Sequence, residues 1–200
     1  MDRWIYEKKD VLPAELCENI IARFENDKLR QHPGTTASGL KKKVKITTDV
    51  PISNNKEWSD IDNLVQELLK VHFKKYKEEV EYDIENDVDD GIVIPKLSFI
   101  PEKVGDRGFQ IQKYNKNEGK YTWHSDMIFS DKLETRALTF IIYLNDIYEG
   151  GETDFYFKKI KPEKGKIVFF PALWTFPHRG LMPISNDKYI LTGWIHGIGD

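Results

Sequence analysis

The spacing of hydrophobic positions along this chain changes near its middle. From Pro13 to Lys28 (PAELCENIIARFENDK), Leu16, Ile20 and Phe24 recur at four-residue steps. From Lys56 to Tyr82 a longer series follows: Trp58, Ile61, Leu64, Val65, Leu68, Leu69, His72, Phe73 and Tyr76. Steps of three and four put these side chains on one face of a helix, so the spacing predicts two amphipathic helices, the first with Pro13 at its first helical position. Between them, Leu29 to Asn55 is polar and basic, with Pro33-Gly34, Ser38-Gly39 and Pro51 as breakers. It reads as a loop region with one short strand within Lys43 to Thr47.

After the acidic stretch Glu85 to Asp90 the texture becomes β-rich, in the runs PKLSFI, GFQIQKY, YTWHSDM, RALTFIIYLND, ETDFYF, KIVFF and KYILTGWI. Turn signals separate them, among them Asn117-Glu118-Gly119, Glu149-Gly150-Gly151 and Ser185-Asn186-Asp187. Many short strands without intervening helices predict a sandwich or barrel of jelly-roll type. The expected fold is mainly β with flanking helices (α+β): a double-stranded β-helix core buttressed by two N-terminal helices. A single domain is expected, with residues 1–90 as helical support and substrate-loop region and 91–200 as the core.

Composition narrows the classes. A chain of 200 residues buries a sufficient core without staples. With 30 Lys plus Arg against 33 Asp plus Glu, there is no global attraction to nucleic acid or an anionic membrane. The local cluster Lys41, Lys42, Lys43 and Lys45 reads first as a solvated loop and second as a contact for an acidic peptide or a phosphate backbone. One cysteine, Cys17, excludes an internal disulfide, and no uncharged run approaches a membrane span, so a soluble cytoplasmic protein is expected.

Chemistry concentrates in the β-rich half. His124 and Asp126 stand two apart at the end of Tyr121-Thr122-Trp123, and alternate strand residues face the same side. His178 follows the apolar run Ile167 to Phe170, at a separation that brings the chain back to a neighbouring strand. Two imidazoles and one carboxylate on one face of an ion leave its other face open, the arrangement of non-haem Fe(II) oxygenases. An HxD triplet alone equally fits a surface hydrogen-bonded pair beside a satisfied loop histidine. Lys188 shifts the balance, because it heads the apolar run Tyr189 to Ile195, where a cation is costly unless it meets an anion or reaches water.

The stretch from Gln110 to Ile195 resembles the 2-oxoglutarate and Fe(II)-dependent oxygenases, and within them the prolyl 4-hydroxylase-like group. The likeness rests on YNKNEGKYTWHSD (114–126), RALTFIIYLNDIYEGGETDF (136–155), PEKGKIVFFP (162–171), His178-Arg179-Gly180 and KYILTGW (188–194), in that group's order. The resemblance implies that His124, Asp126 and His178 hold Fe(II), that Lys188 meets the distal carboxylate of 2-oxoglutarate, and that Tyr114 hydrogen-bonds this co-substrate. Thr139 is similar to a threonine lining the same pocket. The loop after Tyr114 is one residue longer than the group's commonest pattern, which leaves Tyr121 as the alternative. Implied too are O2 as oxidant, ascorbate as an accompanying reductant, and succinate and CO2 as products of a C–H hydroxylation. No catalytic group beyond the metal site is expected, and imidazole protonation should lower activity on the acid side.

The substrate is less legible. The prolyl 4-hydroxylase-like resemblance suggests a prolyl residue in a peptide or protein, with the 29–55 segment closing over it and Arg179, Trp194, Tyr121 and Trp174 as contacts; Trp123 is a further pocket candidate. Two other readings remain at this point: the same chemistry on a free amino acid, small metabolite or nucleic acid base, or a non-catalytic metal-binding barrel of cupin type. Neither target nor oligomeric state follows from these residues.

Overall fold

The computed structural model describes residues 2–36, 38–86, 104–128 and 135–197, the side chains of 81–86 and 135 excepted. The PKLSFI run (95–100) lies outside the described residues. In chain order the elements are β1 (Tyr6–Lys8), α1 (Ala14–Asn26), β2 (His32–Pro33), β3 (Lys45–Ile46), β4 (Thr48–Pro51), α2 (Ser59–Asn86), β5 (Val104–Tyr114) and β6 (Lys120–His124). There follow β7 (Thr135–Tyr143), β8 (Thr153–Phe155), β9 (Lys158–Ile160), β10 (Ile167–Pro171), β11 (His178–Gly180) and β12 (Lys188–Gly197).

Both helices form where the apolar spacing places them, with shifted ends. Pro13 sits just ahead of α1, and its carbonyl accepts the N–H groups of Leu16 and Cys17. The buried stripe of α1 is Cys17, Ile20 and Phe24, with Leu16 on its flank. On α2 the buried series Ile61, Val65, Leu69, Tyr76 and Val80 keeps the helical period. A 3-10 turn, Lys56–Trp58, precedes it, with the Asn55 side chain accepting from the Glu57 N–H. Arg23 ties the helices together by donating to Asp60 at 2.7 Å.

The strands form two antiparallel sheets, one of seven strands in the order β1-β10-β7-β12-β5-β4-β2 and one of five in the order β3-β6-β11-β8-β9. Strand alternation gives the larger sheet two characters. Ile111, Phe140, Ile142, Ile167, Phe169 and Leu191 point to the helices and merge with their stripes into one core. Ile141, Tyr143, Val168, Phe170 and Ile190 point the other way, toward Phe155 and Ile160 of the smaller sheet. Each such side chain contributes about 1.5–3 kcal/mol when fully buried.

Three expectations change. The 29–55 segment is partly strand, because β2 and β4 extend the larger sheet and β3 edges the smaller one. Its β-branched residues from Val44 to Val50 find partners in β5 and β6 that no local signal reveals. Lys45 therefore leaves the solvated lysine cluster: it is buried, while Lys41, Lys42 and Lys43 are exposed. Finally, β1, β9 and β11 have three residues each, too short for a period to declare itself.

Candidate metal centre

β6 and β11 run antiparallel with His124 directly opposite His178, so the fold closes the long sequence gap between the two imidazoles. Their ring centroids are 4.3 Å apart. Each imidazole has Nδ1 against a backbone carbonyl, His124 on Thr122 at 2.8 Å and His178 on Phe176 at 3.1 Å. A carbonyl only accepts, so both Nδ1 atoms carry the hydrogen and both Nε2 lone pairs are free. Those lone pairs meet Asp126: His124 Nε2 is 3.7 Å from Oδ1 and His178 Nε2 is 3.6 Å from Oδ2. Such separations are too long for hydrogen bonds and leave room for an ion. One ligand atom from each of the three residues lies within 4.8 Å of the others, a grouping able to hold a metal ion.

The surroundings disfavour a proton on His124 and favour an ionised Asp126. Burial first, then the neighbouring His178, pushes His124 down to about 4. This moves the acid-side loss expected of an ordinary imidazole to lower pH for that residue. Burial alone would raise Asp126, yet His178, His124 and the Thr139 hydroxyl hold it below its ordinary value. Thr139 donates to Asp126 Oδ2 at 2.6 Å. Arg136 holds the same residue through its backbone, donating to the Asp126 carbonyl at 3.1 Å while its guanidinium lies 3.4 Å over the Trp194 ring.

From the metal-ligand cluster a cavity of about 50 Å³ runs between the sheets, lined by Gln112, Tyr114, Tyr121, Thr139, Ile190 and Thr192 among others, and by Lys188. Lys188 is 2% exposed. Its ammonium donates to the Gly151 carbonyl at 2.8 Å and sits 4.1 Å over the Tyr114 ring. Among the described residues no carboxylate pairs with it, and burial pushes it down to about 7. The Gly150-Gly151 turn that offers the carbonyl has φ of 71° and 76°, a backbone region that glycine enters without strain.

The structure brings together His124, Asp126, His178, Lys188, Tyr114, Thr139, Tyr121 and Trp194. Tyr114 stands beside Lys188 and donates to Gln112 at 3.1 Å, whereas Tyr121 stacks on His124 with centroids 3.5 Å apart. Arg179 and Trp174 are not among the lining residues. Arg179 follows an inward residue on β11 and so points outward, where it donates to Asp154 at 2.7 Å and lies 4.7 Å over Trp123. Trp174 is 70% exposed. Gln112, Thr192 and Arg136 were missed. The first two share the parity of Tyr114 and Lys188 on their strands, a signal that would have found them.

Residues 109–196 match the family model of the 2OG-Fe(II) oxygenase superfamily. The match covers less than half of the chain and marks this stretch as similar to the 2OG-Fe(II) oxygenases, with prolyl 4-hydroxylases among its relatives. The chain is similar to prolyl 4-hydroxylase 13 of Arabidopsis thaliana, at 29% identity over 44% of this chain and 42% of that protein. It is also similar to the probable prolyl 4-hydroxylase 9 of the same plant, at 28% identity over 51% of this chain and 44% of the relative. The chain thus spans less than half the length of these curated relatives. Its fold is shared with a viral collagen prolyl hydroxylase of Paramecium bursaria Chlorella virus-1 in complex with 2OG, with TM-score 0.63 and 21% identity over 98% of this chain and 97% of that one. It is shared too with a Trichoplax adhaerens prolyl hydroxylase bound to a hypoxia inducible factor peptide fragment, with TM-score 0.72 and 15% identity over 98% and 84%. Among the described residues no helix is long and apolar enough to cross a membrane.

Proposed function

We propose that the chain is a 2-oxoglutarate-dependent dioxygenase that holds Fe(II) through His124, Asp126 and His178, binds 2-oxoglutarate against Lys188, and hydroxylates a C–H bond of a prolyl residue in a peptide or protein. The observation that carries this reading is Lys188: a buried ammonium with no carboxylate in ion-pair contact among the described residues, in the same cavity as three converging metal-ligand groups. A buried cation is strongly favoured by an incoming anion, and a 2-oxo dicarboxylate can reach both ends of such a cavity. The donor set fits the metal, since two neutral imidazoles and one carboxylate on one side suit Fe(II) and leave coordination positions for co-substrates. When bound, the iron supplies the activation of O2 that couples decarboxylation of 2-oxoglutarate to hydroxylation.

The chain's own residues bind and orient. Both Nδ1 hydrogen bonds fix the imidazoles with Nε2 inward, Thr139 fixes one carboxylate oxygen, and Tyr114 forms the wall over which Lys188 lies. We read the two facing sheets as a double-stranded β-helix core, with residues 1–90 as its support within one domain. The peptide target is supported by the relatives, which are prolyl hydroxylases, one of them bound to a peptide fragment.

The test is anaerobic addition of Fe(II) and then 2-oxoglutarate, watching for the visible charge-transfer band of the chelate, followed by succinate release with proline-rich peptides. A band with peptide-stimulated succinate supports the reading in full. Iron uptake without a band on adding 2-oxoglutarate would remove the co-substrate assignment.

A further inference from the structure

Lys45 and Asp49 form an ion pair at 2.7 Å whose side chains are only 2% and 1% exposed. They come from different sheets: Lys45 on β3 lies opposite Tyr121 of β6, and Asp49 on β4 lies opposite Gln112 of β5. The pair therefore clasps the two sheets behind the cavity, and the Lys45 ammonium also reaches the Thr35 carbonyl at 3.4 Å. It lies 5.6 Å over the Tyr121 ring, and that ring is stacked on the His124 imidazole at an interplanar angle of 13°.

As a source of stability the clasp is poor. Burying two charges gains little over a well-packed apolar pair. Here Asp49 Oδ1 and Thr47 Oγ1 are in addition buried without a hydrogen-bond partner among the described residues. What the pair does achieve is placement. The hydrogen bond from His124 Nδ1 to Thr122 fixes where the ring points, but leaves its plane free to rock about that bond. The Tyr121 face removes this freedom, provided that Tyr121 is itself held.

We propose that Lys45, anchored by Asp49, is a positioning residue of the metal centre: its ammonium holds the Tyr121 ring, and that ring sets the plane of the His124 imidazole. The proposal rests on His124 being a metal ligand. It gives the 45–51 segment a part in the site that does not involve substrate.

The experiment uses Co(II) as the probe, added to metal-free protein, with two variants. Lys45→Met/Asp49→Leu removes both charges and keeps the volume; Lys45→Arg keeps a cation over the ring. The double variant is expected to melt within a few degrees of the wild type and to bind Co(II) about tenfold more weakly, the lower end of what outer-shell changes cost metal sites. In the metal-free double variant, the His124 ring-proton resonances are expected to lose the upfield shift that the Tyr121 face imposes. Lys45→Arg is expected to stay within about twofold of the wild type in Co(II) affinity. A folded double variant with wild-type Co(II) affinity and an unchanged His124 shift would overturn the positioning role alone. Wild-type protein that takes up no Co(II) would overturn the metal centre and this inference together. Should the double variant not fold, Asp49→Asn, which releases the ammonium from its anchor, carries the same two readouts.

Discussion

The two faces of β12 differ as much as any two regions of the molecule, although they share one backbone. Tyr189, Leu191 and Ile195 point to the helices and belong to the larger apolar core. Lys188, Ile190, Thr192 and Trp194 point into the cavity beside the metal-ligand cluster. The first face packs against the helices, with the Tyr189 hydroxyl at its edge donating to Glu25 at 2.7 Å, and the second carries a cation, a hydroxyl and an indole beside the metal-ligand cluster. Because the side-chain period is two, parity decides which task a residue has, and a one-residue slip would exchange the tasks wholesale.

The sharpest way to separate the faces is a pair of substitutions three positions apart. Lys188→Met is expected to weaken 2-oxoglutarate binding about a hundredfold or more, the order of cost for losing the partner of a buried charge. Its melting temperature should hold or rise, because an apolar side chain replaces a buried cation. Leu191→Ala is expected to cost about 2–5 kcal/mol of stability while the folded protein keeps its affinity for 2-oxoglutarate. Calorimetric titration and thermal melts on both variants decide the matter. Equal losses in both quantities would mean that the faces are not separate.

Thr139→Val tests the cavity face more gently. Loss of the 2.6 Å hydrogen bond to Asp126 is expected to lower metal affinity about tenfold, with stability nearly unchanged. If a metal titration stays flat while the protein is destabilised, Thr139 serves packing alone.

Titration of Lys188 supplies a third comparison. With burial pushing the ammonium to about 7 from its ordinary 10.5, the free protein loses this charge as pH rises through 7. Apparent affinity for 2-oxoglutarate is then expected to fall above pH 7, approaching tenfold per pH unit, with proton uptake on binding visible as a buffer-dependent enthalpy. The sign for stability is opposite. Between about 7 and 10.5 the unfolded chain holds a proton that the folded chain has released, so the ligand-free protein gains stability with rising pH from this residue. A pH-independent affinity would remove Lys188 from the anion site.

The smallest effect belongs to the helix side. Burial alone would raise Glu25, but hydrogen bonds from Lys113, Tyr189 and Lys28 hold it down at about 2. For a depressed carboxyl, the stabilisation is present above its ordinary value near 4.5 and disappears as pH falls toward 2. Glu25→Gln is expected to cost about 1 kcal/mol at neutral pH, measured by urea unfolding, with the two stability curves converging in acid.

Much of this arrangement could be read from residue order. The four-residue steps of Ile61, Val65 and Leu69 declare a helix, and the apolar run of β10 declares a strand buried on both sides. The three metal-ligand candidates were legible because chemistry restricts residue type at such a site more than packing does. What escaped depended on partners far along the chain. Lys45 looked like one more lysine in a basic run, and only its pairing with Asp49 across a strand junction removes it from water. Arg179 lies outside the cavity for a different reason: its neighbour His178 takes the inward position, and alternation along the strand turns Arg179 outward, toward Asp154.

The lone sulfhydryl has a practical use. Cys17 lies on the buried face of α1 with no exposed surface, and burial pushes its thiol up to about 11. A thiol reagent mixed with native protein must therefore wait until α1 lifts from the sheet. The rate of its reaction counts those openings, so the molecule carries an unengineered clock for how often its helical cover parts from the strands beneath.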